Sequence, residues 1–187
     1  MPETMTLTPD QNPAPIFPEN LLSDDYSAGQ WYVARVKSRR EKTLANYLFK
    51  QSIDYYLPLV NKRQTSKKRV RYSLVPVFPG YLFMRTDTTG RYNALRTNHI
   101  SRVIEVQDPD TLMRELRMIH QALSADTPVY PVELIKTGQH VRVKSGPMKG
   151  VEGIVIRKDK KYRIVLTVTS IMQSISLEVD VDTVEPV

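Results

Sequence analysis

Three histidines and two clusters of basic residues are the groups in this chain that could do chemistry. His99, His120 and His140 show no metal-ligand spacing with one another or with carboxylates. No glycine-rich phosphate loop follows a strand and opens a helix, and no serine sits in a nucleophile elbow. The glycines of "GPMKG" (Gly146 to Gly150) lead into a strand, so a tight turn is the better reading. No catalytic residue, metal ligand or cofactor is expected, and the chain does not read as an enzyme. The basic residues are more informative. Arg35, Lys37, Arg39, Arg40 and Lys42 form one cluster, and Lys62, Arg63, Lys67, Lys68, Arg69 and Arg71 form another. Lysine and arginine neutralise phosphates and release counterions, which gives salt-sensitive binding without sequence choice. Arg39 and Arg40 lie beside a helix N-terminus, whose dipole disfavours cations, so an anion lying over them would explain their placement. A solvated charged face is the alternative, and it weighs more on the second cluster.

The whole composition points the same way. The 187 residues suit one ordinary domain or two small ones, and 41% hydrophobic content is enough for compact cores. A net charge of +7 and a pI near 9.6 favour an anionic partner, nucleic acid first. Without cysteine there is no disulfide, thiolate or Cys-based zinc chemistry. No apolar run reaches the roughly 18 residues of a membrane helix, and the N-terminus lacks a Sec-type pattern. A cytoplasmic protein without membrane contact is expected.

Several elements must position these residues. Residues 1–29, rich in Pro, Asn, Asp, Thr and Ser without a period, read as a disordered tail. "QWYVARVKS" reads as a strand, and "RREKTLANYLFKQ" as a helix with Leu44, Tyr47, Leu48 and Gln51 on one stripe. "IDYYLPLVNK" is a second strand, and "RQTSKKRVRYS" a loop or the arms of a hairpin. "VPVFPGYLFMR" reads as a core strand bent by Pro76, Pro79 and Gly80. A short helix in "TTGRYNALRTN" and a strand in "ISRVIEV" follow. Asp108 is the expected N-cap of a third helix, with Pro109 at its first position and Leu112, Leu116, Ile119 and Leu123 on one stripe. Residues 124–137 read as a linker. Beyond it, Tyr162, Ile164, Leu166 and Val168, then Ile175, Leu177, Val179 and Val181, alternate with polar residues at strict period two. The expectation is an α+β chain: an α/β sandwich over 30–123, then a small antiparallel β-barrel over 138–187.

Three stretches in order, "WYVARVKSRREKTLANYL", "VFPGYLFMR" and "GQHVRVKSGPMKGVEGIV", resemble the NusG family of transcription factors. The shared marks are Trp31-Tyr32 opening the first strand, Phe78-Pro79-Gly80-Tyr81, and the turn Gly146-Pro147-x-x-Gly150-x-x-Gly153. The resemblance implies an NGN domain followed by a SH3-like KOW barrel. It implies docking on the β′ clamp helices of RNA polymerase through Trp31, Arg35, Tyr56, Leu57, Phe78 and Tyr81, with Phe78 and Tyr81 as accessible rings. Non-template DNA would meet Lys37, Arg39, Arg40 and Lys42, with Lys67, Lys68 and Arg69 adding general attraction. The KOW positions Gly138, Val141, Val143, Gly146, Pro147, Met148, Gly150 and Gly153 would recruit a ribosomal protein or Rho. The resemblance implies a monomer with a loosely tethered barrel.

Two departures bear on this. Met148 stands where the family usually carries phenylalanine, and Ser38 departs from a basic position that Lys37 keeps. With the long N-terminal segment, they favour a specialised RfaH/UpxY-like paralogue that antiterminates a surface-polysaccharide operon. The alternatives are a housekeeping elongation factor and a ribosome-associated RNA-binding KOW protein.

Overall fold

Alternation decides the first unit. Tyr32, Ala34 and Val36 point to one side of their strand, and Trp31, Val33 and Arg35 to the other. The computed structural model describes residues 12–26, 28–66, 69–125, 129–132, 138, 140–158, 161–179 and 184–186. Two compact units emerge, Met1–Glu105 and Val106–Val187.

The first unit runs β1 (Ile16–Phe17), β2 (Gln30–Val36), α1 (Glu41–Lys50), β3 (Asp54–Tyr56), β4 (Leu59–Ser66), β5 (Arg69–Pro76), β6 (Tyr81–Thr86), α2 (Thr88–Arg96) and β7 (Ile100–Glu105). Five strands form an antiparallel sheet in the order β1-β3-β6-β2-β7, while β4 and β5 form a separate two-stranded ribbon. On one sheet face, Tyr32, Ala34, Tyr55, Leu82 and Met84 pack with Leu44, Ala45 and Leu48 of α1 and Ala94 of α2. The other face carries Trp31, Val33, Tyr56 and Phe83.

The "VPVFPGYLFMR" stretch is two strands rather than one bent strand. Pro76 ends β5 and Tyr81 begins β6. Between them, Tyr81 N–H donates to Phe78 C=O (3.1 Å) around Pro79 and Gly80, whose φ is +81°. Proline second and a left-handed glycine third make a type II turn. Glu41, 7% exposed, accepts from Gly80 N–H (2.7 Å), and Gly80 C=O accepts from Val36 N–H (2.8 Å).

The expected disordered tail over 1–29 is corrected for residues 12–26. Strand β1 pairs with β3, Leu21 is fully buried, and the Phe17 ring meets Phe49 edge-on at 4.9 Å. Lone apolar residues at irregular spacing leave no period to read, yet each docks on a surface that the sheet has already built. Burial of that surface offsets the cost of ordering the segment.

The second unit runs α3 (Pro109–Ser124), β8 (Val129–Val132), β9 (His140–Val143), β10 (Glu152–Lys158), β11 (Lys161–Val168), β12 (Gln173–Val179) and β13 (Val184–Pro186). Its antiparallel sheet has the order β13-β9-β10-β11-β12-β8. The α+β class and the small antiparallel C-terminal domain stand as expected. Helix α3 packs on β11, and the two compact units part at Glu105. Val129–Val132, inside the expected linker, pairs with Ser174–Leu177 of β12. "VYPV" lacks a detectable period because it is a four-residue edge strand containing a proline, which edges tolerate.

Helix α3 starts as its sequence dictates, with the Asp108 carboxylate accepting from Thr111 N–H (2.9 Å) and Pro109 in the first turn. Leu112, Leu116 and Ile119 are buried. Ile164, Leu166, Val168, Ile175, Leu177 and Val179 are buried too, as period two requires. Val165, Ser174 and Ser176, on the opposite face, are also buried, although strict alternation leaves that face to solvent. Glu115, 8% exposed, explains part of this. Its carboxylate accepts from Thr169 N–H (3.0 Å) and Thr169 Oγ1 (2.5 Å), fixing α3 at the end of β11. Among the described residues, no helix is long and apolar enough to cross a membrane, and no group of three or more His, Asp or Glu could hold a metal.

Candidate docking and nucleic-acid surfaces

The six residues expected to dock on polymerase divide by exposure. Trp31, Tyr56 and Phe78 are at most 2% exposed and Leu57 is fully buried. Phe78 meets the Phe83 ring edge-on at 6.2 Å, and Tyr56 lies 6.4 Å from the same ring. Burial pushes the Tyr56 phenol well above the ordinary tyrosine range. The expected accessibility of the Phe78 ring is therefore corrected: the turn folds it inward instead of leaving it beside a bend. Arg35 and Tyr81 are different. They are register partners on β2 and β6, and the guanidinium lies 4.4 Å from the ring centroid. Arg35 is exposed and Tyr81 half-buried. A planar cation on an aromatic face that reaches solvent is a rigid amphipathic pair.

At the other end of the same strands, Arg85 holds the N-terminal segment. It donates to Tyr26 C=O (2.7 Å) and Gly29 C=O (3.3 Å), and lies over the Tyr26 and Trp31 rings. The Tyr26 hydroxyl donates to Asp54, and burial together with this bond pushes its pKa up to about 12. Sequence reasoning missed this clasp because its members, 28 and 59 residues apart, share no motif.

The first basic cluster is not uniform. Lys37, Arg39 and Arg40 are exposed in the β2–α1 connection. Arg39 takes a left-handed φ of +61°, and Arg40 N–H donates to Lys37 C=O (3.0 Å). Lys37 Nζ reaches Asn98 Oδ1 (2.6 Å), just beyond α2. Lys42 departs from its expected role. Its ammonium donates to Asn12 Oδ1 and Leu74 C=O, both at 2.6 Å, and burial lowers its pKa. It ties the N-terminal segment to β5. Of the second cluster, Lys62 is exposed on β4 and Arg69 opens β5 opposite Ser66, while Lys67 and Lys68 lie outside the described residues.

Helix α2 carries residues that no motif singled out. Small Gly90 and Ala94, at i and i+4, face inward. Tyr92 is therefore 62% exposed and Leu95 39%. The spacing of two small residues was the available signal.

In the second unit, Val141 and Val143 are core, and Gly146 and Gly150 take φ of +83° and +90°. A Cβ on Gly153 would stand 2.4 Å from Val165 C=O, so only glycine fits there. Gly138 is equally constrained, 2.1 Å from Val155 C=O. These glycines build the domain. Pro147 is exposed and Met148 only 8% so. Gln121 of α3 donates to Pro147 C=O (3.3 Å) and Lys149 C=O (3.0 Å), so this turn is gripped by the helix.

Comparison with known proteins bears on identity through one match. The family model described as "Transcription termination factor nusG" covers residues 29–121. No curated protein matches the chain. A chain of the crystallised MjSpt4:Spt5 complex (conformation B) is 20% identical, over 84% of this chain and 96% of that one, with a TM-score of 0.29 that supports no argument. From β2 through most of α3, on residues that form four of the five sheet strands and carry the Arg35–Tyr81 pair, the chain belongs to the NusG family of transcription factors.

Proposed function

We propose that this protein docks on the β′ clamp helices of RNA polymerase, suppresses pausing and acts as a processive antiterminator. The observation that carries this reading is the Arg35–Tyr81 pair, which reaches solvent on the sheet face that also carries buried Trp31 and Tyr56. In this reading, Arg35 and Tyr81 make the contact, and buried Trp31, Tyr56, Leu57 and Phe78 support the domain that presents them. Lys37, Arg39 and Arg40 meet non-template DNA, and the KOW turn recruits a ribosomal protein or Rho. The ordered N-terminal segment, which a minimal factor does not need, supports a specialised RfaH/UpxY-like paralogue serving a surface-polysaccharide operon. A monomer in the cytoplasm suffices for all of this. The test is binding of the full chain to a clamp-helix fragment of β′. Truncating an interface anchor commonly costs about 2 kcal/mol, so Arg35→Ala and Tyr81→Ala should each weaken binding roughly 30-fold. Circular dichroism must first show both variants folded. Unchanged affinity in two folded variants refutes the docking assignment.

A further inference from the structure

The sheet face turned away from α1 carries two pairs of a cation on an aromatic ring, one towards each end. Register partners on neighbouring strands share a face. One row across the sheet is therefore Asp54, Arg85 and Trp31, and a second, four residues along β2, is Tyr81 and Arg35. The Arg35–Tyr81 pair reaches solvent, with the guanidinium 4.4 Å from the ring centre. In the Arg85–Trp31 pair, at 5.7 Å, the ring is only 2% exposed. Tyr26 lies on this second pair. Its ring centre is 5.3 Å from the Arg85 guanidinium, which also donates to Tyr26 C=O (2.7 Å), and the Tyr26 hydroxyl donates to Asp54 in the same row. Residues 18–26 form the strap that brings Tyr26 there. Strand β1 delivers them at the sheet edge, where Ile16 pairs with Tyr56. Local turns shape them, with Leu21 N–H donating to Pro18 C=O (3.0 Å) and Ser23 N–H to Asn20 C=O (2.9 Å). Leu21 is fully buried, yet it stands outside the cluster that packs between the sheet and α1. The strap also lies before the residues that place this chain in the NusG family. The sheet face is thus family architecture, and the strap across its end is an addition.

We propose that the strap is a removable cover on the polymerase-docking face, with Tyr26 occupying on the Arg85–Trp31 pair the place that a side chain of the clamp helices takes. Resting on the docking reading of Arg35–Tyr81, this adds the regulation of that site. The open pair makes the first contact, and lifting the strap adds the second pair to it. Like is exchanged for like. A partner's aromatic or hydroxyl-bearing side chain takes over the contacts to Arg85 and Asp54, so neither charge is left without an answer when Tyr26 departs. While the strap is shut, apparent affinity is scaled down to the fraction of molecules in which it is open. A strap that only reinforces the sheet has the opposite consequence, because loosening it would weaken docking.

Trp31 is the only tryptophan in the chain, so its emission reads the cover directly. In the full chain, Tyr26→Ala removes the ring and the hydroxyl and keeps the carbonyl that Arg85 holds. Trp31 emission should shift to the red and be quenched more by acrylamide. A clamp-helix fragment of β′ should bind roughly 10- to 100-fold more tightly, the factor by which losing a hydrogen bond to a charged group moves the strap's opening equilibrium. Tyr26→Phe keeps the ring packing and loses only the hydroxyl, so it should fall between, and it tests the cover even where the alanine variant loosens the domain. In the unaltered chain, adding the fragment should speed amide exchange at Leu21 and Ser23 as the strap lifts. Unchanged or weaker fragment binding by Tyr26→Ala, with Trp31 exposed, makes the strap a reinforcement and overturns the cover. Unmoved Trp31 emission, or slow exchange at Leu21 and Ser23 in the bound chain, overturns it too. If neither the unaltered chain nor Tyr26→Ala binds the fragment, the docking reading of Arg35–Tyr81 fails first, and the cover fails with it.

Discussion

Removing the Glu115 carboxylate tests whether α3 is built into the C-terminal domain. The side chain is 8% exposed and accepts two hydrogen bonds from Thr169, at 3.0 Å and 2.5 Å. A hydrogen bond to a charged group contributes about 1.5–3 kcal/mol. Thr169 itself is exposed, so water can reach its orphaned donors and recover part of that. The expected cost of Glu115→Ala is about 2–4 kcal/mol, below the sum of two separate bonds. Amide hydrogen exchange on the full chain reads this directly. Local opening at Thr169, and along Leu112 to Ala122, should rise roughly 30- to 900-fold, the same free energy expressed as an equilibrium. Glu115→Gln keeps the shape and one acceptor oxygen and should fall between. If Thr169 and α3 exchange as slowly in Glu115→Ala as in the unaltered chain, the carboxylate does not hold the helix.

Two further outcomes follow from burial. Leu21→Ala should destabilise the first unit by about 2–5 kcal/mol in urea unfolding, as for a buried leucine; a change below about 0.5 kcal/mol would return the segment to a tail. Burial holds the His120 pKa below its ordinary 6.5, so the folded state favours the neutral ring. Its stabilising contribution is present above pH 6.5 and is lost as pH falls through that value to the lower folded one. His120→Gln should flatten the decline in stability of the second unit between pH 7 and 5, and an unaltered pH profile would contradict this.

The sequence carried local patterns well and tertiary choices poorly. The Asp108 cap, the Pro109 start and the paired β11–β12 stripes depend on residues a few positions apart, and all appear where those residues put them. The sequence does not say which way the Phe78 ring turns, because that depends on what the fold packs beside it, here Phe83. Lys42 looked like part of a basic patch, but its role depends on Asn12 and Leu74, about 30 residues away on either side. Helix α3 has a readable inner stripe. The tie between the helix and the end of β11 runs through the carboxylate of Glu115, which on an amphipathic pattern reads as an ordinary surface charge.

The Gly80 turn has a mechanical consequence. Its carbonyl holds Val36, one residue before Lys37, and its amide holds Glu41, one residue after Arg40. Its neighbour Tyr81 carries the ring under Arg35. A single residue thus gauges the spacing between the Arg35–Tyr81 pair and the Lys37–Arg40 cations. A side chain at residue 80 would be strained at a φ of +81° and would press on the Arg35 guanidinium at 3.3 Å. Such a change would leave each contact surface chemically intact but out of register with the other, like two jaws of a calliper whose pivot has slipped.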